Sequence, residues 1–351
     1  MTLSYDIHQS YQFNYDRGPL LSAPVPSVPE TPLKEFLGFK VRSRLGIAAG
    51  LLLNSKWISA YAQLGFDLLT YKTVRSVHRA CYPLPNWVFV DDRGSSEGPV
   101  YTTSFDVTRP KDATSAVCFG MPSMGPEIWK PDISRAKKAL VPGQLLIVSV
   151  VATPQEGATA ESVANDFSTC ASWAAEAGAD VIEANFSCPN VCSAEGSIYL
   201  DAKLSRNIAR QIRAAIGETP LLLKVGDFGS AMRMSDFLQA ISGIVDGVTL
   251  VNCIVRPVLD PGGQPIFGEQ FRSVGVAGRA IHGPSLELVR AAVEIVNRDS
   301  LGLAVVAVGG ASEPSDIGEF FSAGAAAVLM GSAPMYLPHL AIETKRLHPG
   351  W

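Results

Sequence analysis

The 351-residue sequence has no block of like charge, and its formal net charge is only −4. A partner with a phosphate backbone, such as DNA or tRNA, calls for a basic stripe, so this composition argues against one. The most apolar stretch, residues 139–152, is interrupted by Pro142, Gly143 and Gln144, which argues against a membrane-spanning segment. The first residues also lack the basic and apolar regions of a targeting leader. We therefore expect a cytoplasmic protein that binds neither nucleic acid nor membrane.

Three further absences narrow the class of protein. Six cysteines scattered over this length are too few for the disulfide framework of a secreted domain. Cys188 and Cys192 have a metal-like spacing, but no second Cys/His pair accompanies them, so we expect no metal site. The sequence LGIAAGLLLN, which starts at Leu45, lacks the G-x-G-x-x-G fingerprint that an open dinucleotide-binding sheet carries after its first strand.

The sequence does contain a regular alternation of short apolar runs and helical segments. Near-continuous runs of Val, Ile and Leu predict parallel strands buried on both faces, at residues 45–50, 66–74, 145–152, 180–187, 221–226, 247–254, 304–310 and 326–332. Segments of helical periodicity lie between them, including residues 55–63, 160–177, 202–216, 232–241, 285–297 and 314–323. Eight strand–helix units close a barrel, so the predicted fold class is α/β, a (β/α)₈ TIM barrel.

Two segments depart from this alternation. Residues 1–36 include the proline-rich stretch PLLSAPVPSVPETP, which predicts an extended N-terminal segment before a single barrel domain over residues 37–351. Residues 76–130 follow the second strand, are rich in proline and glycine, and show no strong periodicity. A long insertion at the mouth of a barrel is usually functional, so we expect this one to contact the substrate.

Glycines end the last two predicted strands. The seventh strand ends in Gly309 and Gly310, and the eighth ends in Gly331 and Ser332. Barrels often bind a phosphate there, through exposed backbone N–H groups and the start of a following helix. Short turns between strand and helix would also need glycine, but two such pairs in these particular strands favour a phosphate site.

Polar side chains end three of the other strands. Lys72 and Lys224 would lie at an apolar barrel mouth. An ammonium group there needs an anion or a carbonyl oxygen as partner. Alternatively, the aliphatic part of the lysine side chain is buried and the ammonium group reaches solvent. The charge that a reduced flavin carries near N1 and O2 would suit such a lysine. Asn185 and Asn190 offer paired donors and acceptors that match the imide edge of a flavin or a pyrimidine. Cys188 lies between them, where a thiol of suitable pKa can exchange protons, although most cysteines are inert packing residues.

At these residues the chain resembles the dihydroorotate dehydrogenase family of FMN enzymes, over a stretch from about Leu37 to Ser332. The string NFSCPN at residues 185–190 is the specific part of the resemblance. Other matching segments are LGIAAG, the YKT after the second strand, LLLK, LVNCI, GVAGRAI, AVGGASEPSD and GAAAVLMGS. The resemblance implies an FMN-dependent oxidoreductase acting on CH–CH bonds, which oxidises dihydroorotate to orotate in pyrimidine biosynthesis. Barrels of this kind often dimerise, so a homodimer is among the assemblies to be tested.

The resemblance also implies roles for individual residues. FMN would be contacted by Ala49, Gly50, Lys72, Thr73, Asn185, Lys224, Val251, Gly278, Gly309, Gly310, Gly331 and Ser332. The substrate would be contacted by Phe119, Gly120, Met121, Asn185, Asn190, Asn252 and Cys253. Lys72 would lie between flavin and substrate. Cys188 would be the catalytic base, as in the class 1 members, removing a proton from C5 of the substrate while C6 delivers hydride to flavin N5.

One stretch departs from the family pattern. Where the family has Asn-Ser-Met-Gly-Leu-Pro-Asn to hold orotate, this chain reads VCFGMPS, from Val117 to Ser123. Valine cannot form the hydrogen bond of the asparagine, and an unpaired buried polar group costs roughly 1–3 kcal/mol. A paralogous FMN oxidoreductase that acts on another cyclic amide or ene is therefore an alternative. Two weaker alternatives are a tRNA dihydrouridine synthase, which the acidic charge disfavours, and a non-catalytic flavin-binding barrel, which would not need Cys188 or the lysines.

Overall fold

The computed structural model describes residues 3–21, 24–94, 97–187 and 197–351. The strands in these ranges are β1 (Lys34–Phe36), β2 (Phe39–Val41), β3 (Leu45–Ile47), β4 (Leu68–Val74), β5 (Trp87–Asp91), β6 (Val100–Thr103), β7 (Thr114–Val117), β8 (Leu145–Val150), β9 (Val181–Asn185), β10 (Leu221–Lys224), β11 (Gly247–Leu250), β12 (Ile254–Leu259), β13 (Ser273–Gly278), β14 (Ala304–Val308) and β15 (Ala327–Met330). The helices are α1 (Tyr11–Arg17), α2 (Ser55–Gln63), α3 (Pro126–Ala139), α4 (Ala160–Glu176), α5 (Ala202–Ile216), α6 (Ala231–Ile241), α7 (His282–Arg298), α8 (Pro314–Ser322), α9 (Ala333–Tyr336) and α10 (Leu340–Leu347). None of the helices in the described ranges has the length and apolar character needed to cross a bilayer.

Eight parallel strands close the main barrel, in the order β10-β11-β14-β15-β3-β4-β8-β9. Each of these strands lies within one of the eight apolar runs, which confirms the predicted (β/α)₈ barrel. Side chains of Leu68, Ile147, Leu222, Val306 and Leu329 fill its interior, and all are fully buried. The barrel is therefore a packed core closed at one end, with its binding surface confined to the carboxyl ends of the strands.

The insertion after β4 is more regular than the sequence indicates. Its strands β5, β6 and β7 join β12 and β13, which follow β11, in a second and smaller closed sheet of five strands. Val258 of β12 pairs in parallel with Val100 of β6, although about half of the length of the sequence separates the two residues. These strands are short, and Pro257 interrupts β12, so their period-2 pattern is too weak to read along the sequence.

The N-terminal segment is not extended throughout, so the prediction for residues 1–36 is wrong over α1. Ser10 caps this helix, since its hydroxyl accepts a hydrogen bond from the backbone N–H of Phe13 at 3.1 Å. Asn14 ties the helix to Asp6 through bonds of 2.8 and 2.9 Å. The seven-residue helix is too short to show helical periodicity, but the proline-rich residues 24–33 contain neither helix nor strand, as predicted.

Candidate active site

A cavity of about 870 Å³, its open mouth included, lies at the carboxyl ends of the barrel strands. Thirteen of the residues expected to bind cofactor or substrate line it: Ala49, Gly50, Lys72, Thr73, Phe119, Gly120, Met121, Asn185, Lys224, Asn252, Cys253, Gly331 and Ser332. An adjoining cavity of about 330 Å³ shares Asn252, Gly331 and Ser332 with it and is also lined by Gly278, Gly309 and Gly310. The two cavities together form a chamber of the size that small-molecule ligands occupy.

Of the expected site residues that the structure describes, Val251 lines neither cavity. Val251 is fully buried beside them, and its backbone N–H donates to the carbonyl oxygen of Val308 at 2.8 Å. Cys188 and Asn190 lie outside the described residues, so their roles stay predictions. Sequence reasoning missed Trp87 and Ala277, which line the main cavity from β5 and β13. Only recognition of the smaller sheet would have revealed them.

Both lysines of the cavity are buried. Lys72 is 6% exposed and Lys224 is 2% exposed, which excludes the alternative that their ammonium groups reach solvent. The ammonium of Lys224 lies 3.5 Å from the carbonyl oxygen of Ala49, a long hydrogen bond. Burial raises the pKa of the neighbouring Cys81 thiol to about 12, although the charge of Lys72 acts in the opposite direction. Two cations in a mostly apolar cavity favour a ligand that carries or develops negative charge.

The two asparagine side chains are fixed by hydrogen bonds to one residue. The side-chain oxygen of Asn185 accepts from the backbone N–H of Ser187 at 3.2 Å, and its amide nitrogen lies 3.5 Å from the sulfur of Met121. The amide of Asn252 donates to the carbonyl oxygen of Ser187 and lies 3.3 Å from its hydroxyl oxygen. The orientation of both amides is thus set before a ligand arrives, which lowers the entropic cost of binding.

An apolar wall forms the side of the cavity that faces the small sheet. Trp87, Val117, Phe119 and Met121 line it. The ring of Tyr5, from the N-terminal segment, packs behind this wall at 5.2 Å from Trp87 and 5.8 Å from Phe119. The N-terminal segment therefore supports the part of the cavity in which the sequence departs from the family pattern.

The glycines of the smaller cavity pack closely against the start of α7. A Cβ atom on Gly309 would lie 2.0 Å from the hydroxyl oxygen of Ser285, and one on Gly310 would lie 2.6 Å from the carbonyl oxygen of Gly278. A Cβ on Gly331, by contrast, would meet no protein atom within 4 Å. Gly331 lines both cavities, so the space beside it is left for a ligand. Backbone N–H groups at such a turn and the adjacent helix start are suited to an anionic group.

A polar layer lies beneath the cavity, above the apolar core of the barrel. Glu183 precedes Asn185 by two residues on β9, so both side chains face the barrel interior. The carboxyl group is fully buried and, within the described ranges, neither oxygen has a hydrogen-bond partner. Thr70 and Thr249 also have buried hydroxyl oxygens without partners in the described part of the chain. Unsatisfied groups of this kind are typical of functional centres or of sites for bound water.

A closed α/β barrel with a polar, cation-containing cavity at its carboxyl ends is the architecture of barrel enzymes acting on small molecules. The family model described as dihydroorotate dehydrogenase matches residues 111–344. A dihydroorotate dehydrogenase of Dictyostelium discoideum is 31% identical over 359 residues, covering 97% of this chain and 95% of the relative. The chain therefore belongs to the dihydroorotate dehydrogenase family.

Other relatives carry related names. The catalytic subunit of dihydroorotate dehydrogenase B (NAD(+)) from Methanocella arvoryzae is 28% identical over 288 residues, covering 82% of this chain and 85% of the relative. A solved structure, dihydroorotate dehydrogenase of Eimeria tenella in complex with ferulenol, superposes with a TM-score of 0.71 at 16% identity. It covers 92% of this chain and 85% of that one. At this identity the superposition supports the fold alone.

Proposed function

We propose that this protein is an FMN-dependent dehydrogenase that oxidises dihydroorotate to orotate, and so acts in pyrimidine biosynthesis. The observation that carries the proposal is the joining of three features in one chamber: two buried lysines, two oriented asparagine amides and a glycine-lined pocket. Membership of the dihydroorotate dehydrogenase family supports the choice of substrate. A cytoplasmic location and a homodimer stay predictions.

The residues present fit an isoalloxazine with a phosphate tail. The phosphate would be held by backbone N–H groups in the smaller cavity, around Gly278, Gly309, Gly310, Gly331 and Ser332. The ring system would be held in the larger cavity by Ala49, Gly50, Thr73, Asn185 and Lys224, beside the buried Val251. FMN, when bound, supplies the acceptor for the hydride that leaves C6 of the substrate. The Lys224 ammonium would stabilise the negative charge that this transfer brings to the cavity.

The substrate would lie against the same chamber from the side of the small sheet. Asn185, Asn252 and the predicted Asn190 would pair with its amide and carbonyl groups. Lys72 would lie between cofactor and substrate, where its charge orients the anionic ring. Cys188 would remove the C5 proton, a role that a thiol can take when its surroundings lower its pKa.

The experiment that tests this proposal is anaerobic mixing of the FMN-loaded protein with dihydroorotate. We expect the visible absorbance of oxidised flavin to disappear. Cys188→Ser should slow this reduction far more than it changes the flavin content. Cys170→Ser is the matched control, because Cys170 is a fully buried residue of α4 and does not line either cavity. Equal rates in the two variants would contradict the assignment of the base.

A second candidate function rests on the apolar wall. Val117 lines the cavity between Trp87 and Phe119, where it offers no hydrogen bond to a polar ring edge. This favours a family member that acts on a related cyclic amide or ene with a less polar edge. Reduction of the bound flavin by such a compound, with no reduction by dihydroorotate, would favour this second function over the first.

A further inference from the structure

His282, the first residue of α7, is buried between the Gly309–Gly310 turn and α8. The residue is 6% exposed, and its ring meets the ring of Phe320 edge-on, at a centroid distance of 5.2 Å and an angle of 84°. The ring atom Nδ1 lies 3.3 Å from the carbonyl oxygen of Gly309, and Nε2 lies 2.7 Å from a carboxylate oxygen of Glu319. His282 and Glu319 line neither cavity, whereas Gly309 lines the smaller one.

Both partners of the imidazole are acceptors. A carbonyl oxygen cannot donate, and neither can the carboxylate of Glu319, whose side chain is 53% exposed to solvent. At both contacts the ring can therefore act only as a donor. Asp316 lies 3.7 Å from Nε2 and adds a second negative charge. Burial alone would raise the pKa of Asp316, but the backbone N–H of Ser312 and the guanidinium of Arg279 hold it below its usual value.

The groups that face His282 do not form a metal site. Ligand atoms of His282, Asp316 and Glu319 lie within 4.8 Å of one another. However, the Asp316 carboxylate already accepts from the guanidinium of Arg279 at 2.6 Å on one oxygen and from the backbone N–H of Ser312 at 2.9 Å on the other. Glu313, at the start of α8, is paired with Lys111 at 2.9 Å. A cation beside these carboxylates would face the Arg279 charge at close range.

The hydrogen bond from His282 fixes the direction of one peptide group. A trans peptide is planar, so its C=O and N–H point in opposite directions. With the oxygen of Gly309 directed at the ring of His282, the N–H of Gly310 points away from that ring, and both glycines line the smaller cavity. A Cβ on Gly310 would lie 2.7 Å from the backbone nitrogen of His282, so turn and helix are in direct contact.

We propose that His282 is a positioning residue for phosphate binding: its ring, in contact with the Gly309 carbonyl oxygen, holds the Gly309–Gly310 turn so that the Gly310 N–H points at the phosphate of FMN. The inference rests on the proposed cofactor and goes beyond it, because it makes the affinity for the phosphate depend on a residue outside the cavity.

The test compares binding of FMN and riboflavin to the apo-protein by quenching of flavin fluorescence. Riboflavin lacks the phosphate, so only FMN reports on the turn. His282→Gln can donate to one partner but carries no charge, and we expect its dissociation constant for FMN to rise about 10-fold at neutral pH, with little change for riboflavin. His348→Gln is the matched control, because this histidine stacks on Trp351, away from both cavities.

Two outcomes would overturn the inference: unchanged FMN affinity in His282→Gln, or an equal loss of riboflavin affinity. These results differ from a failure of the proposed function itself. If the natural protein binds neither flavin, the cofactor proposal is wrong. If it binds FMN and the variants do likewise, only the role of His282 is wrong.

Discussion

Replacing Val117 by asparagine should strengthen the binding of orotate. Val117 ends β7, where its backbone pairs with Trp87 on one side and Gly275 on the other, and its side chain lines the main cavity. The position therefore faces the ligand, and the two strands that flank it fix its backbone. An unpaired buried polar group costs roughly 1–3 kcal/mol, so an asparagine that pairs with the polar edge of orotate should tighten binding about 10- to 100-fold.

Isothermal titration calorimetry of the FMN-loaded variant with orotate measures this gain. Val255→Asn is the matched control, since Val255 is 52% exposed on β12 of the same small sheet and does not line the cavity. Equal flavin content in both variants and in the natural protein would show that the fold is retained. Unchanged or weaker orotate binding in Val117→Asn would show that the polar edge of the ligand does not face this position.

Three other predictions concern stability and the cavity. Lys345 and Asp67 form a buried ion pair, with 2.6 Å between the ammonium nitrogen and a carboxylate oxygen. Lys345→Met leaves the Asp67 carboxylate without this partner, so the free energy of unfolding in urea should fall by about 3–5 kcal/mol. A fall below about 1 kcal/mol would contradict this. Burial would raise the pKa of Asp132, but bonds from Ser55 and Tyr71 hold it below its usual value. A carboxyl group with a lowered pKa stabilises the fold, and this stabilisation is lost as the pH falls from about 5 to about 2. The free energy of unfolding of Asp132→Asn in urea should therefore depend less on pH across that range. An equal dependence in the variant and the natural protein would contradict this. Gly331→Val should weaken FMN binding more than 10-fold at unchanged thermal stability, because the valine side chain would fill the part of the cavity left for the ligand. Unchanged affinity for FMN would contradict this.

The main barrel could be predicted because its strands are buried on both faces. The segment LLIVSV, which forms β8, is apolar at nearly every position. Burial on both faces is the only condition that such a segment needs to form a strand. The carboxyl end of each strand then follows from its direction along the chain. Knowing that barrels place their sites there was enough to select Lys72, Asn185 and Lys224 as cavity residues.

The small sheet could not be predicted, because its strands depend on partners far along the chain. Arg256 of β12, for example, is 4% exposed and donates to the carbonyl oxygen of Gly98 at 2.8 Å. An arginine followed by a proline does not read as a buried strand, and only the tertiary contact stabilises it. The contact of His282 with Glu319, 37 residues apart, is likewise a product of the fold.

Helix α1 shows a third limit, which is length. Seven residues make fewer than two helical turns. The apolar periodicity that identified α4 and α5 therefore cannot be recognised in a helix this short. The helix is defined instead by its Ser10 cap and by the packing of Tyr11, whose ring lies 5.6 Å from that of Phe119. A cap residue alone occurs too often in loops to identify a helix.

The most direct test of the account is an equilibrium titration of the apo-protein with FMN, followed by flavin fluorescence and visible absorbance. The account predicts saturable binding of one FMN per chain, because the lysines, the amides and the glycine turn surround a single chamber. A protein that remains colourless and leaves the fluorescence of added FMN unchanged would contradict it.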